Sequence, residues 1–329
     1  MARRRARPKQ RSTELRREFD ANGGSNRGAG QGAARQDRRR HDGLQESAWR
    51  NRGRYRGRRR LAEDEGFVGG RQQGWTGCAE GLVGVATRDS VGAVIEVNSE
   101  TDFVARNNEF QSFVRAVSGL ALDGDGDIAS LKEAPYPGTG RTVEAELTHL
   151  ISTIGENLVL RRVKRSSAGQ GGVFSYVHNA LGPGIGKIGV IVALTSTVSL
   201  DELAVLGKQL AMHIAAASPL YLDIASMPKS ALDREREVLR AQAHATGRSE
   251  EIIEKMVDGR LRKFYEEVVL LEQIFVVDQK TKIFLVVEQA AKTVGAPIRV
   301  SGFARFALGE GIDRHRPDFA AEVAAQLKS

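Results

Sequence analysis

One order of predicted elements occurs twice along this chain, and this repeat limits its fold more than any other feature. The first copy is a β-hairpin, two helices and a strand. Alternating apolar residues predict the hairpin, and apolar residues three or four positions apart predict the helices. The segments are Leu82–Ala86 and Val91–Val97 for the hairpin, a helix that carries Phe103, Phe110, Phe113, Val114 and Val117, a helix over Thr142–Ile154 and a strand over Leu158–Val163.

The second copy follows the same order. Its segments are Phe174–His178 and Ile188–Leu194 for the hairpin, helices over Leu203–Ala216 and Thr281–Thr293, and a strand over Ile298–Leu308. Hairpins with helices on one face predict an α+β fold. We expect a duplicated hairpin–helix–helix–strand core, with subdomain N at residues 79–166 and subdomain C at residues 167–309.

An insertion over residues 223–275 interrupts the second copy. It carries two apolar stripes at helical spacing, formed by Leu232, Val238, Leu239 and Ala243 and by Ile253, Met256, Val257, Phe264 and Val268. This pattern predicts an antiparallel helical hairpin that projects from the core. Its mixed surface charges fit either a solvated face or the contact face of a homodimer.

The charge of the chain is divided unevenly. Residues 1–60 carry 19 Arg and 1 Lys against 6 acidic residues, a net charge of +14, whereas the remainder carries a net charge of −6. Residues 1–60 also contain no Val and no Ile. So little apolar surface cannot offset an ordering cost of roughly 1–2 kcal/mol per residue. We therefore predict that residues 1–78 are an Arg-rich disordered segment.

Several classes of protein do not fit the sequence. No apolar run approaches the ~18 residues that a membrane-spanning helix needs. The single cysteine, Cys78, excludes an internal disulfide and fits a reduced cytoplasm. We expect a cytoplasmic protein without membrane contact.

Motifs for phosphate, metal and acid–base chemistry are incomplete. Gly182–Lys187 lacks the spacing of a phosphate loop, and Asp123, Asp125 and Asp127 lack the downstream glutamate of a calcium loop. Glu96 and Glu100 have no evident partners, and no nucleophile lies near them in the sequence. We therefore expect no enzyme activity, no catalytic residue, no cofactor and no metal site, and we interpret Gly182–Gly186 as a turn between strands.

The joint between the first hairpin and the first helix combines an acidic and an aromatic residue. The alternating run ends at Asn98, and Thr101 or Asp102 is a good helix N-cap. Such a cap would place Phe103 in the first helical turn. From spacing alone, Asp102 would only cap the helix, and Phe103 would pack it against the core.

This joint, Val97-Asn-Ser-Glu-Thr-Asp-Phe-Val-Ala-Arg-Asn107, resembles the signature of the elongation factor Ts family. Further blocks extend the resemblance from about Ala79 to Ser329. They are AEGLVG from Ala79, IGENLVLRRV from Ile154, MHIAAASP from Met212, GRLRKF from Gly259 and GFARFALGEGI from Gly302. The resemblance implies a guanine-nucleotide exchange factor whose partner is the GTPase elongation factor Tu.

The resemblance also implies roles for particular residues. The pair Asp102 and Phe103, flanked by Thr101 and Val104, would insert near the Mg²⁺ site of the GTPase and promote GDP release. Asn107, with lesser weight, and His178 would be further contacts. A C-terminal helical module at residues 310–329 would lie on the partner through Phe319, Val323 and Leu327, which fall at i, i+4 and i+8.

Residues 1–78 depart from the family pattern, which begins with a compact three-helix domain. We hypothesise that they are an aberrant segment, encoded by DNA that is translated in the wrong frame until about Ala79. The alternative is a genuine basic arm, which would make the protein an RNA- or ribosome-associated factor. Apart from this arm, we expect no contact with nucleic acid.

Overall fold

The computed structural model describes residues 78–312, which form seven strands and seven helices. The strands are β1 Glu80–Arg88, β2 Val91–Ser99, β3 Leu158–Ser167, β4 Gly171–His178, β5 Ile185–Gly186, β6 Ile188–Thr195 and β7 Arg299–Ala307. The helices are α1 Asn108–Leu120, α2 Ile128–Glu133, α3 Val143–Ile154, α4 Leu200–Ala217, α5 Lys229–His244, α6 Glu250–Val268 and α7 Ile283–Val294. Short 3₁₀ turns occupy Val104–Arg106 and Leu270–Glu272.

The strands form two antiparallel sheets that repeat one arrangement. The first sheet has the order β3-β2-β1-β5, and the second has the order β4-β6-β7. In both, the second strand of the hairpin is central and pairs with the strand that follows the helices. The predicted α+β class and the predicted duplication are therefore confirmed.

Two glycines show how closely the copies agree. Gly81 in β1 and Gly171 in β4 have positive φ values of 119° and 127°. A Cβ atom on Gly81 would lie 2.2 Å from the carbonyl oxygen of Val97, and one on Gly171 would lie 2.1 Å from that of Leu194. Each hairpin therefore needs glycine at the same place, because its strands approach too closely there for a side chain.

The two sheets pack face to face, and the helices cover their outer faces. Small and branched residues fill the layer between the sheets, including Val83, Val94, Val173, Ile191 and Ala193. One outer core lies under α1 and α3, and a second lies under α4 and α7. This arrangement places the joint between β2 and α1 at the rim of the first sheet.

The predicted helical hairpin is present as α5 and α6. Leu239 and Ala243 of α5 pack on Ile253, Val257 and Leu261 of α6. Val238, which we assigned to the apolar stripe, is 37% exposed and lies off the contact face. Charged residues pair across the two helices, as in Arg236–Asp258 and Arg240–Glu250. Within residues 78–312, no helix is both long enough and apolar enough to cross a bilayer.

The segment over Gly182–Gly186 is more than a turn. Ile185 and Gly186 form β5, which pairs with Gly84 and Val83 of β1. This short strand belongs to the second copy along the chain but extends the sheet of the first copy. A two-residue strand has too few residues to produce a period, and the sequence pattern therefore did not reveal it.

The aspartates at 123–127 support local structure. Asp127 caps α2 and accepts the N–H groups of Ala129 and Ser130 at 2.8 and 3.0 Å. Asp125 accepts the hydroxyl of Ser130. Among the residues that the structure describes, no group of three or more His, Cys, Asp or Glu side chains is arranged to hold a metal ion.

Glu96, for which we expected no partners, is the centre of a buried ionic cluster. Its side chain is fully buried in β2. Arg161 Nη1 donates to both carboxylate oxygens at 3.2 and 3.1 Å, and Arg162 Nε donates to Oε2. The expectation was wrong because these arginines lie on the neighbouring strand β3, more than 60 residues further along the chain.

Candidate functional site

The joint between β2 and α1 is built differently from the sequence prediction. Neither Thr101 nor Asp102 caps α1. Asn107 is the cap, and its Oδ1 accepts the backbone N–H groups of Glu109 and Phe110 at 2.8 and 3.0 Å. The 3₁₀ turn over Val104–Arg106 precedes it, so the chain winds once before the helix begins. The prediction was wrong because three cap-forming residues lie within seven positions, and tertiary contacts choose among them.

The joint is anchored at both ends. Thr101 donates its backbone N–H to Glu156 Oε2 at 3.0 Å and its hydroxyl to Glu156 Oε1 at 2.6 Å. The hydroxyl of Ser99 donates to the carbonyl oxygen of Thr101 at 2.8 Å. After the exposed pair, Val104 and Ala105 are only 3% and 2% exposed. Residues on either side of Asp102 and Phe103 are therefore held by the core.

Phe103 points away from the protein. Its exposed fraction is 75%, the highest of the large apolar side chains within residues 78–312; Val205 follows at 68%. Asp102 beside it is also exposed. The interpretation in which Phe103 packs the helix against the core is therefore wrong. An exposed benzyl ring on an anchored joint is available for contact with another molecule.

His178 lies at the end of β4 and is exposed. Its Nδ1 is 3.2 Å from the hydroxyl of Tyr176, and the two ring centroids are 6.2 Å apart. The partner is thus a neighbouring side chain on the same face of the strand, and not the loop carbonyl that an ordinary strand-end histidine would use. Its imidazole remains accessible to a partner molecule.

His213 on α4 is a packed histidine. The side chain is fully buried. Nδ1 is 3.3 Å from the backbone nitrogen of Val276, which donates to it, so Nε2 carries the proton and donates to Gln273 Oε1 at 2.9 Å. Burial lowers the pKa of His213, and the hydrogen bond with Gln273 opposes that shift. This histidine stabilises the loop before α7.

The remaining predicted contacts lie outside the described residues. Phe319, Val323 and Leu327 belong to residues 313–329, and the predicted Arg-rich segment, residues 1–78, lies outside the described residues except for Cys78. Glu156, which holds Thr101 of the joint, was not among the residues predicted from the sequence. The sequence did contain a signal for it. The segments that connect the last helix to the last strand of each copy read Gly155-Glu-Asn and Gly295-Ala-Pro, and only the first carries a carboxylate.

Comparison with known proteins gives a consistent result. The sequence model of the family described as Elongation factor TS matches residues 100–310. Curated proteins named Elongation factor Ts are similar to this chain. The protein from Rhodospirillum rubrum is 61% identical over 251 residues, which cover 76% of this chain and 81% of the relative. The proteins from Rhodospirillum centenum and Rhizobium meliloti are 60% and 50% identical, over 75% and 76% of this chain and 80% and 81% of the relatives. The N-terminus of the chain is unmatched.

Proposed function

The chain belongs to the elongation factor Ts family and is a translation elongation factor, and we propose that it is the guanine-nucleotide exchange factor for elongation factor Tu. In this proposal it binds the GDP-loaded GTPase, disturbs the Mg²⁺ and phosphate site, and stabilises the empty GTPase until GTP binds. It performs no bond chemistry of its own and requires no cofactor. We place this action in the cytoplasm.

The exposure of Phe103 on an anchored joint is the observation that carries the proposal. In a GTPase, GDP is held by a phosphate cradle and by a Mg²⁺ ion that bridges phosphate and protein oxygens. Phe103 would act as a wedge beside that site, and Asp102 would compete with or reorient the groups that order the metal ligands. Thr101 and Val104 would hold the pair in place.

The energetics of exchange set the size of the required effect. Coupling is reciprocal, so a factor that weakens GDP binding is itself weakened by GDP to the same degree. A ~10⁴-fold effect on affinity requires about 5.5 kcal/mol of differential binding. Interface hot spots contribute roughly 2–4 kcal/mol each. A buried aromatic wedge and a few polar contacts therefore have sufficient magnitude.

The proposal assigns supporting contacts to other residues. Exposed His178 would contact the GTPase from subdomain C, and Asn107 would set the geometry of the joint through its cap. Phe319, Val323 and Leu327, in the C-terminal module, would lie on the nucleotide-binding domain of the partner. The helical hairpin α5–α6 remains a candidate homodimer face, although the charge pairs across it favour a solvated surface.

The experiment is stopped-flow release of fluorescent GDP from elongation factor Tu, with wild-type protein and with Phe103→Ala. Because Phe103 is 75% exposed, its truncation removes no core contact and should leave the fold intact. We expect stimulated release to slow by at least ~30-fold, which corresponds to a hot spot of about 2 kcal/mol.

Val205→Ala is the matched control. Val205 is 68% exposed on α4, so its truncation also removes an exposed apolar side chain but leaves the joint unchanged. The Val205→Ala variant should stimulate GDP release from the GTPase at the wild-type rate. Unaltered stimulation by Phe103→Ala would remove the wedge from the mechanism.

A second function is favoured by the charge of residues 1–60 alone. A net charge of +14 in so short a segment attracts phosphate groups without sequence preference. Under this alternative, the protein would act on RNA or the ribosome through its N-terminal arm. Removal of that arm separates the two functions.

A further inference from the structure

The two copies of the fold differ at the joint between the hairpin and the helix that follows it. In the second copy, β6 ends at Thr195 and Ser199 caps α4, so residues 196–198 make the connection. In the first copy, β2 ends at Ser99 and Asn107 caps α1, so residues 100–106 make it. The longer joint of the first copy is the one that exposes Asp102 and Phe103.

A longer joint needs additional anchoring to present a side chain in one orientation. Thr101 shows how this anchoring is achieved, because its three polar backbone and side-chain groups are all engaged. Its N–H and hydroxyl donate to the two oxygens of Glu156 at 3.0 and 2.6 Å. Its carbonyl accepts from Ser99 at 2.8 Å. The anchor lies two residues before Phe103.

Glu156 occupies a position that the two copies share. It follows Gly155, which ends α3 in the left-handed region with φ 80°. In the second copy Gly295 ends α7 with φ 72°, and the next residue is Ala296. The carboxylate is therefore found in the copy with the long joint and is absent from the copy with the short joint. Helix capping alone does not require it.

We propose that Glu156 is a positioning residue for nucleotide exchange. It acts through Thr101, holds the joint in one conformation and thereby orients Phe103 for insertion into the GTPase. This inference rests on the proposed exchange function. Its physical basis is preorganisation, since a side chain that is already ordered loses less conformational entropy when it binds.

The test is a double-mutant cycle read by stopped-flow release of fluorescent GDP from elongation factor Tu. Glu156→Gln keeps the shape of the side chain but replaces one acceptor oxygen by a donor, so it cannot accept both bonds from Thr101. We expect the maximal stimulated rate to fall by about 5–10-fold, which equals roughly 1–1.4 kcal/mol. In the Phe103→Ala background the same substitution should change the rate less than ~2-fold, because residues that act as a unit are not additive.

Thr101 supplies a second pair of variants. Thr101→Ser retains the hydroxyl donor, so it should slow stimulated GDP release less than Thr101→Val does. Thr101→Val retains the shape, loses the hydroxyl donor and should slow release in the manner of Glu156→Gln. This pair decides the question if Glu156→Gln fails to fold.

Glu202→Gln is the matched control. Glu202 Oε2 accepts the backbone N–H and the hydroxyl of Ser199 at 3.0 and 2.7 Å, a comparable grip at the joint of the second copy. Glu202→Gln removes the carboxylate charge from the joint of the second copy and should leave the maximal rate unchanged. A similar slowing by Glu202→Gln would show that Glu156 has only a structural role.

The outcomes separate the inference from the proposed function. If Phe103→Ala stimulates GDP release from the GTPase at the normal rate, the proposed wedge mechanism fails and the positioning role of Glu156 fails with it. If Phe103→Ala is slow but Glu156→Gln and Thr101→Val are normal, only the positioning role is overturned. Additive effects of Glu156→Gln and Phe103→Ala would also overturn it, because Glu156 would then act independently of the wedge.

Discussion

Gly309 donates its backbone N–H to Glu96 Oε1 across 2.8 Å, although 213 residues separate them in the sequence. Glu96 lies in β2, an inner strand of the first sheet, and Gly309 follows β7, the last strand of the second sheet. The same carboxylate binds Arg161 and Arg162, and Arg162 donates to the carbonyl of Ala307 at 3.0 Å. One buried side chain thus joins the two copies of the fold.

Replacement of Glu96 should therefore weaken the whole described core. Glu96→Ala removes the carboxylate that pairs with Arg161 and leaves Arg162 with only Glu310, at 3.8 Å, although the two arginine side chains are only 25% and 17% exposed. We expect a loss of about 3 kcal/mol in the free energy of unfolding, because breaking a buried ion pair leaves an uncompensated charge. Urea unfolding followed by circular dichroism measures it.

An exposed ion pair provides the control for Glu96. Lys255 and Glu251 pair on α6, and their side chains are 76% and 81% exposed. Lys255→Ala should leave the unfolding curve nearly unchanged, since exposed pairs contribute little. Equal effects of the two substitutions would mean that the Glu96 cluster does not join the copies.

The corrected helix cap gives a second prediction. Asn107→Ala removes the side chain that accepts two N–H groups at the start of α1, and it should cost about 1 kcal/mol of stability. Asp102→Ala should cost less than ~0.5 kcal/mol, because Asp102 is exposed and does not cap the helix. Thermal unfolding of both variants compares them directly. A larger loss for Asp102→Ala would restore the cap that the sequence suggested.

The buried histidine predicts how stability depends on pH. Burial lowers the pKa of His213 below its ordinary value of 6.5, so the unfolded chain binds a proton more readily than the native protein. The contribution of neutral His213 to the free energy of unfolding should therefore be fully present above about pH 6.5. It should decrease as the pH drops below that value. Urea unfolding between pH 5 and 8 measures this dependence.

His213→Gln isolates this contribution. The amide can still accept from Val276 and donate to Gln273, but it does not titrate. The other histidines within residues 78–312, His149, His178 and His244, are exposed. We expect a shallower decline in stability below pH 6.5 for the variant than for the wild-type protein. An equal decline in stability below pH 6.5 for the two proteins would show that His213 does not cause it.

Removal of residues 1–78 tests the N-terminal alternatives. Under the exchange function, the shortened protein should still stimulate GDP release, whereas under the RNA function it should lose a salt-dependent affinity for RNA. The coding DNA provides an independent check of the frame hypothesis. An alternative frame upstream of codon 79 should encode three amphipathic helices, and the hypothesis fails if none does.

The sequence predicted what depends on local periodicity. Both hairpins, the helical insertion and the duplicated order follow from apolar residues at spacings of two and of three to four, and the structure confirms them. The pattern could not choose between Thr101, Asp102 and Asn107 as the cap, because all three have suitable side chains. In the structure Thr101 binds Glu156 instead, which lies 55 residues beyond it in the sequence.

Long-range polar contacts could not be predicted from the sequence either, because their partners lie far apart along the chain. Nothing in the sequence near Glu96 indicates that Arg161, Arg162 and Gly309 surround it. The family resemblance identified Asp102 and Phe103 as a pair, and the structure adds that Phe103 is exposed while its neighbours are anchored. Their role in binding the GTPase is a prediction.

The proposed exchange function requires this protein to bind the empty GTPase more tightly than the occupied one. The direct measurement is the dissociation constant for elongation factor Tu, determined by biolayer interferometry with nucleotide-free GTPase and with a saturating concentration of GDP. We predict binding at least ~100-fold tighter to the nucleotide-free form, as reciprocal coupling requires. Equal dissociation constants in the two conditions would contradict the account.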